Sequence, residues 1–268
     1  MRHERNRTTI AAIVVLTVLA LFGAGCGKST APRDKPSDDG RKVTGKVTVF
    51  AAASLTEAFS TLEKRFEKAH PGAKVTLNFG ASSELVDQIG QGAPADILAT
   101  ADTKTMKTAV DAGKVGKPQT FARNRLAILV APGNPKHIKT LADLADPGVA
   151  FVLCAPEVPC GKFGARILAR AKVAAEPKSF EENVKAVVNR VVLGEADAGL
   201  VYVSDVKAAG AKAEGVNIPD AQNTIATYPI AVAQGSSNGA TARAFVAYVR
   251  SAAGQRVLAA DGFLPANG

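Results

Sequence analysis

The N-terminal part of the chain is dominated by one apolar run. This run covers residues 10–22, follows a segment that contains three arginines, and ends at small residues just before Cys26. A membrane-spanning helix needs roughly 17 to 25 apolar residues, and this run is shorter and is interrupted by Thr17. The pattern is typical of a secretory signal peptide, so we expect residues 1–25 to direct export and to be removed.

A polar segment follows the predicted signal peptide. Cys26 stands directly after small residues, as in the processing site of a bacterial lipoprotein, so we expect its acylation to anchor the exported protein to the outer face of the membrane. The alternative is a soluble secreted protein with an unpaired cysteine in the signal region. Residues 26–45 contain proline and many polar residues but almost no large apolar side chains, which predicts a flexible tether.

From Lys46 onward, short β-branched or apolar runs alternate with helical segments. Strands that alternate with helices predict an α/β fold with largely parallel sheets. The predicted strands cover residues 47–50, 74–79, 96–100, 126–131, 150–154, 198–203 and 228–233. The predicted helices cover residues 55–69, 83–91, 103–112, 161–172, 183–193 and 240–260.

Composition and charge exclude some classes of function. The formal net charge is +9 at pH 7, and the basic residues are spread along the chain. With three tyrosines and no tryptophan, the chain lacks the basic, aromatic surface that is typical of nucleic-acid binding. We therefore expect no nucleic-acid partner. The chain is long enough for one large domain or for two lobes with cores of their own.

Candidate catalytic residues are scarce. Apart from His3 in the predicted signal peptide, the histidines are His70 and His137, both in turn-like sequence beside proline and glycine. The acidic residues at positions 96, 102, 197 and 205 bracket apolar strands, where helix capping or loop hydrogen bonds are commoner than catalysis. An enzyme needs a nucleophile with a base, a carboxylate pair or a metal cluster. We therefore expect a binding protein rather than an enzyme.

Cys154 and Cys160 are the cysteines of the predicted mature domain. No histidine lies near them in sequence, which argues against a zinc site. Five residues separate them, and an exported protein meets an oxidising compartment, so a local disulfide is favoured over two free thiols.

Several predicted helices begin directly after predicted strands. Ser54 and Glu57 are three positions apart at the first helix, which is the pattern of a capping box, and Ser82 begins a similar arrangement at the second. Cys160 and Val184 lie at the starts of two later helices. Free N–H groups and the positive end of the helix dipole make such positions anion sites. In open α/β sheets these ends meet where ligands bind.

Each of these residues also has a purely structural interpretation. Ser54 and Ser82 would then serve only as helix caps. Tyr202, on an apolar strand, would be a core aromatic residue whose hydroxyl bonds a nearby carbonyl. For any one residue taken alone, both interpretations remain open.

Six motifs occur in order from residue 46 to the C-terminus. They are Val-Phe-Ala-Ala-Ala-Ser-Leu-Thr at 49–56, Phe-Gly-Ala-Ser-Ser at 79–83, Gly-Ala-Pro-Ala-Asp at 92–96, Pro-Glu-Val-Pro-Cys-Gly at 156–161, Gly-Leu-Val-Tyr-Val-Ser-Asp at 199–205 and Tyr-Pro-Ile-Ala-Val at 228–232. Together they resemble the periplasmic molybdate-binding proteins of ABC importers. The resemblance implies a two-lobed type II periplasmic-binding-protein fold, in which two strands cross between lobes made of mostly parallel sheets and flanking helices. It implies a first lobe of residues 46–124 plus 232–268 and a second lobe of residues 125–231.

In that family, two serine hydroxyls, two main-chain amides and a tyrosine hydroxyl hold a tetrahedral oxyanion between the lobes. Carried over motif by motif, the resemblance implies as ligands Ser54, Ser82, the amides of Cys160 and Val184, and Tyr202. Alanine is common in the family at the position of Cys160, and a main-chain N–H donates with either side chain. The expected ligand is molybdate, with tungstate bound as well. The expected partner is the membrane permease of an ABC importer, and we expect a monomer without a cofactor.

Every implied ligand donates a hydrogen bond, and none is a carboxylate. Molybdate, tungstate and sulfate carry no proton at neutral pH, so a donor-only site suits them. Hydrogen phosphate carries a proton that would lack an acceptor, at a cost of about 1 to 3 kcal/mol. The main alternative is a receptor for sulfate or another oxyanion, because the sequence does not measure cavity size. A further alternative is an exported enzyme that uses the same cleft.

Overall fold

The computed structural model describes residues 43–267. The predicted signal peptide, the predicted acylation site Cys26 and most of the predicted tether therefore lie outside the described residues. The first strand, β1 (Gly45–Ala52), begins at the last residue of the predicted tether. Just before it, Thr44 donates its N–H to Thr241 Oγ1 at 3.2 Å and accepts a 2.6 Å hydrogen bond from the same hydroxyl. No helix in residues 43–267 has the length and apolar content to cross a membrane.

Strands and helices alternate through most of the described chain. The remaining strands are β2 (Ala73–Gly80), β3 (Ile97–Ala99), β4 (Gln119–Val130), β5 (Phe151–Cys154), β6 (Ser179–Glu181), β7 (Ala198–Tyr202), β8 (Glu214–Asn217) and β9 (Ile225–Val232). The helices are α1 (Thr56–Ala69), α2 (Ser82–Gly90), α3 (Thr103–Asp111), α4 (Pro159–Ala171), α5 (Val184–Val192), α6 (Val203–Ala209), α7 (Gly239–Arg250) and α8 (Ala252–Ala260).

The strands form two sheets. In the first sheet, β1 pairs in parallel with β2 and with β3, and β3 pairs antiparallel with β9. In the second sheet, β5 pairs in parallel with β6 and with β7, while β7 and β8 each pair antiparallel with β4. The predicted α/β fold is confirmed, with parallel pairing of three strands at the outer end of each sheet.

Strand β4 joins the two sheets. Its residues 119–125 pair with β9, whereas its residues 126–130 pair with β7. We call the first sheet with α1, α2, α3, α7 and α8 the first lobe, and the second sheet with α4, α5 and α6 the second lobe. The predicted lobe boundaries at residues 124/125 and 231/232 stay a prediction.

Apolar side chains fill the space between each sheet and its helices. In the first lobe, the ring of Phe245 in α7 lies 5.2 Å from that of Phe66 and 6.1 Å from that of Phe59, both in α1. In the second lobe, Ile167 of α4 and Val187 of α5 are fully buried. Burial of one face of each helix fixes its first residues at the carboxyl edge of a sheet, where the candidate ligands lie.

The structure differs from the sequence prediction at several elements. The single helix predicted for residues 240–260 is broken at Ser251, whose backbone is extended (φ −68°, ψ 164°) and whose Oγ caps α8 by accepting the Gly254 N–H at 3.2 Å. Strands β6 and β8 were not predicted because, unlike the equally short β3 and β5, they contain no apolar run, and helix α6 was missed because its seven residues show no clear period.

Candidate anion-binding site

Ser54 lies in a short 3-10 turn, Ala53–Leu55, between β1 and α1. The predicted capping box with Glu57 is wrong, because α1 begins at Thr56 and no side chain caps it. The buried Ser54 hydroxyl instead lies 3.0 Å from the hydroxyl of Tyr228. The structural interpretation of Ser54 as a helix cap is therefore wrong as well.

Ser82 is the first residue of α2, and it does not cap that helix through its side chain. Its buried Oγ accepts the main-chain N–H of Ala101 at 3.0 Å. A serine hydroxyl has one hydrogen and two lone pairs. Since one lone pair is used by Ala101, the hydrogen of Ser82 remains available for another acceptor.

Helix α4 begins with Pro159, so Cys160 is its second residue. A disulfide joins Cys160 to Cys154 at the end of β5. The backbone is tightly packed here, since a Cβ added to Gly161 would lie 2.0 Å from the carbonyl oxygen of Ala155. The first N–H groups of a helix have no partner inside the helix. The disulfide therefore holds a main-chain donor, the N–H of Cys160, against the edge of the second sheet.

Val184 is the first residue of α5, and Asn183 is the cap. The Asn183 Oδ1 accepts the N–H groups of Lys185 at 2.9 Å and Ala186 at 3.1 Å. The cap therefore satisfies the second and third N–H groups of the helix and does not use that of Val184. A main-chain donor at the positive end of a helix dipole is left for an anion.

Tyr202 is the last residue of β7, and it is only 1% exposed. Its hydroxyl has no hydrogen-bond partner among the described residues, so the interpretation as a core aromatic residue bonded to a carbonyl is wrong. Burial, followed by the neighbouring Tyr228 and the carboxylate of Asp205, raises the pKa of this hydroxyl well above its usual value. Tyr202 thus keeps its proton and offers a donor. A buried donor without a partner costs about 1 to 3 kcal/mol, which a bound acceptor would recover.

All five predicted ligand residues line one cavity. Two of them, Ser54 and Ser82, come from the first lobe, and the other three come from the second. About 20 Å³ of this cavity is open to the centre of a water-sized sphere, which leaves room for one small molecule or ion. No aspartate, glutamate, histidine, lysine or arginine is among the described residues that line it. The site is therefore small, lined by residues of both lobes and rich in neutral donors.

The acidic residues near the strand ends have structural roles. Asp102 caps α3 by accepting the N–H of Thr105. Asp96 accepts the N–H of Thr48 at 2.8 Å. These contacts confirm the predicted capping and loop hydrogen bonds. Among the described residues, no cluster of three or more histidine, cysteine, aspartate or glutamate side chains is arranged to hold a metal ion.

A sequence model of the family described as bacterial extracellular solute-binding protein matches residues 47–264. This match covers nearly all of the described chain and includes every residue that lines the cavity. The chain belongs to this family of bacterial extracellular solute-binding proteins. Membership in an extracellular family agrees with the predicted export. The members of this family are described as solute-binding proteins, which agrees with the expected binding role.

Relatives of this solute-binding protein confirm the resemblance that the motifs indicated. The chain is 43% identical over 250 residues to the molybdate-binding protein ModA of Mycobacterium tuberculosis, with 92% of this chain and 95% of the relative covered. The periplasmic molybdate-binding protein of Azotobacter vinelandii has a TM-score of 0.73 at 22% identity, with 81% of this chain and 98% of the other covered. The sulfate-binding protein SubI of Mycobacterium tuberculosis has a TM-score of 0.74 at 23% identity, with 83% and 87% covered. These similarities confirm the two-lobed periplasmic-binding-protein fold.

Two ion pairs of this solute-binding protein cross from one lobe to the other beside the cavity. The Lys185 Nζ lies 2.8 Å from Glu57 Oε2 in the first lobe and 3.1 Å from Asp205 Oδ1 in the second. Burial alone would lower the pKa of Lys185, but Asp205 and Glu57 raise it above its usual value, so this lysine stays charged. The second pair joins Lys162 of α4 to Asp102 at 3.9 Å.

Sequence reasoning missed two residues that support the site. Tyr228 belongs to a quoted motif, yet nothing in the sequence indicates that it contacts Ser54, which is 174 positions away. Lys185 follows Val184 directly, but its two carboxylate partners lie in helices that are distant in sequence. In both cases the contact depends on tertiary structure, and no local pattern reports it.

Proposed function

We propose that this protein is the receptor of an ABC importer and that it captures molybdate in the cavity between its lobes. The hydroxyls of Ser54, Ser82 and Tyr202 and the main-chain N–H groups of Cys160 and Val184 would donate hydrogen bonds to the anion. The observation that carries the proposal is the convergence of these five residues from both lobes on one small cavity, whose lining in the described part of the chain contains no carboxylate, histidine, lysine or arginine. Molybdate-binding relatives that align over most of the chain support it.

The chemistry of the donors favours an anion without a proton. Hydrogen bonds to charged groups contribute about 1.5 to 3 kcal/mol each, so five of them support micromolar or tighter affinity after the cost of ordering both partners. Hydrogen phosphate would place its proton against another donor and lose about 1 to 3 kcal/mol. Molybdate, tungstate and sulfate do not incur this loss.

Binding from both lobes implies a conformational change. Because the anion touches Ser54 and Ser82 on one side and Tyr202 on the other, it stabilises the closed arrangement of the lobes. We propose that β4 and β9 act as the hinge, since β4 runs through both sheets and β9 leads from β8 of the second sheet back into the first. The closed form is then the form that the permease of the importer receives.

Isothermal titration calorimetry with four anions tests the choice of ligand. We expect molybdate and tungstate to bind tightest, sulfate to bind more weakly because it is smaller, and phosphate to bind weakest. Elemental analysis of the purified protein adds a second measurement, since a copurified anion would contain molybdenum. If sulfate bound tighter than molybdate, the protein would be a sulfate receptor instead.

Membrane attachment and delivery are tested in cells. We propose that Cys26 is acylated and holds the receptor at the outer face of the membrane. The unaltered protein should then sediment with membranes, and a Cys26→Ser variant should not. Loss of molybdate uptake in cells that lack the receptor, with recovery when it is restored, would support delivery to an importer. Unchanged uptake would contradict it.

A further inference from the structure

Tyr228 lies directly behind Ser54 and does not line the cavity. It is on β9 and is fully buried. Three aromatic rings hold its own ring by edge-to-face contacts, with centroid distances of 5.4 Å to Phe263, 5.8 Å to Tyr202 and 6.3 Å to Phe121. The position of the Tyr228 hydroxyl is therefore fixed by the core, and its distance to Ser54 Oγ is 3.0 Å.

Either of these two hydroxyls could donate to the other, and the surroundings favour Tyr228 as the donor. Burial raises the pKa of Tyr228, so its hydroxyl keeps its hydrogen. A buried hydroxyl hydrogen needs an acceptor, and Ser54 Oγ lies within hydrogen-bond distance. A hydrogen bond from the nearby Asn124 side chain lowers the pKa of Tyr228 against the larger effect of burial, so Asn124 acts as a donor toward this hydroxyl and leaves its hydrogen for another acceptor. A phenol is also a stronger acid than an aliphatic alcohol, so Tyr228 is the better donor of the pair.

With Tyr228 as donor, both serines of the site accept a hydrogen bond from the protein and keep their own hydroxyl hydrogen. The Ser54 oxygen accepts from the Tyr228 hydroxyl, and the Ser82 oxygen accepts from the Ala101 N–H at 3.0 Å. In each case a protein donor outside the ligand set uses a lone pair of the serine. The remaining hydrogen of each serine is then directed to the other side, toward the cavity.

We infer that Tyr228 is a positioning residue that holds the Ser54 hydroxyl as a donor toward the cavity and thereby excludes oxyanions that carry a proton. The inference rests on the proposed function, because it names what sets the selectivity of the same site. Without the Tyr228 hydroxyl, Ser54 is free to rotate, and its oxygen becomes able to accept a proton from the ligand. Selectivity, more than affinity alone, is the property that Tyr228 controls.

The Tyr228→Phe variant tests this inference, because it removes the hydroxyl and keeps the ring. Molybdate affinity is measured by calorimetry, and inorganic phosphate affinity by competition with molybdate at a pH where phosphate is a dianion with one proton. We expect the dissociation constant for molybdate to rise about tenfold, which corresponds to about 1.4 kcal/mol. We expect phosphate affinity to stay unchanged or to increase, so that the preference for molybdate falls by about tenfold or more.

Tyr248→Phe is the matched control, since this tyrosine lies in α7 of the first lobe and is not among the residues that line the cavity. It should leave both affinities unchanged. Thermal unfolding and circular dichroism check that Tyr228→Phe keeps its fold. In a Ser54→Ala background, Tyr228→Phe should have no further effect on the anion preference, because the hydroxyl that it positions is gone.

The possible outcomes separate this inference from the proposed function. An unchanged anion preference in folded Tyr228→Phe, or an equal loss of affinity for both anions, would overturn the inference, since Tyr228 would then be only structural. A further change of preference in the Ser54→Ala background would overturn it too. Failure of the unaltered protein to bind molybdate would instead reject the proposed function.

Discussion

The hydroxyl of Tyr202 is a single group that should affect the free energy of anion binding. It is buried, it keeps its proton, and it has no partner among the described residues. Such a group is unfavourable in the closed arrangement until an anion accepts its hydrogen bond. Removal of this hydroxyl should therefore weaken ligand binding without lowering the stability of the ligand-free protein.

The Tyr202→Phe variant removes this hydroxyl and keeps the ring. Loss of one hydrogen bond to a charged group should weaken molybdate binding by about 10-fold to 150-fold, equivalent to roughly 1.5 to 3 kcal/mol. The melting temperature of the ligand-free protein should stay the same or rise, because an unpaired buried hydroxyl is removed. Calorimetry and thermal unfolding measure the two effects, with Tyr248→Phe as the control. Molybdate affinity equal to that of the unaltered protein would exclude Tyr202 from the site.

Ser82→Ala should behave differently from Tyr202→Phe. It removes a donor to the anion, so binding should weaken at least several-fold. It also leaves the buried N–H of Ala101 without its acceptor, which should lower the free energy of unfolding by about 1 to 3 kcal/mol. Denaturant unfolding without ligand detects the second effect. Ser83→Ala is a neighbouring control, because the Ser83 hydroxyl has no hydrogen-bond partner among the described residues. Equal stability of Ser82→Ala and the unaltered protein would contradict the Ala101 contact.

At the scale of elements, the site depends on where helices begin. Two of the donors are main-chain amides, that of Cys160 at the second residue of α4 and that of Val184 at the first residue of α5. A disulfide to β5 stabilises the start of α4, and the Asn183 cap stabilises the start of α5. Main-chain donors need no particular side chain, so the position of the helix start matters more than the identity of the residue there.

A double variant, Cys154→Ser with Cys160→Ser, tests whether the disulfide supports the start of α4. Loss of a disulfide that closes so short a loop should lower the free energy of unfolding by about 2 kcal/mol. Molybdate affinity should fall several-fold while the preference among anions stays the same, because the amide donor remains but its helix start is less restrained. Calorimetry before and after reduction of the unaltered protein should give the same change. Full affinity in the reduced protein would show that the disulfide does not support the site.

At the scale of the whole molecule, closure of the lobes is supported by contacts that the anion does not make. The ion pair between Glu57 and Lys185 crosses from α1 to α5, so opening of the lobes would separate it. The pair between Lys185 and Asp205 lies within the second lobe and would persist. Glu57 is partly exposed, and such pairs contribute about 0 to 1 kcal/mol.

The Glu57→Gln variant removes the charge of the first-lobe partner of Lys185. Loss of the cross-lobe pair should weaken binding of molybdate and tungstate by the same factor, up to about fivefold at low salt. The difference from the unaltered protein should shrink at high salt, where exposed charges are screened. Asp111→Asn is the matched control, because its pair with Lys107 lies within α3. A change in the molybdate to tungstate preference would contradict a role in closure alone.

The local sequence determined much of this protein. Alternation of apolar strands with helices predicted the α/β fold, and ordered motifs predicted the family and the two lobes. The resemblance that those motifs carry implied which helix starts and hydroxyls would come together, at the sheet edge to which parallel strands bring their following residues. Strands β6 and β8 and helix α6 were missed because their residues show neither an apolar run nor a clear helical period.

Tertiary structure alone decided how the site is supported. Ser54 looks like a helix cap in sequence, but in the folded chain its hydroxyl meets Tyr228, 174 positions away. The break at Ser251 depends on a side-chain cap within a stretch that otherwise favours a helix. Capping patterns and periodicity report interactions within a few residues, whereas the polarity of a buried hydroxyl depends on which distant group the fold brings to it.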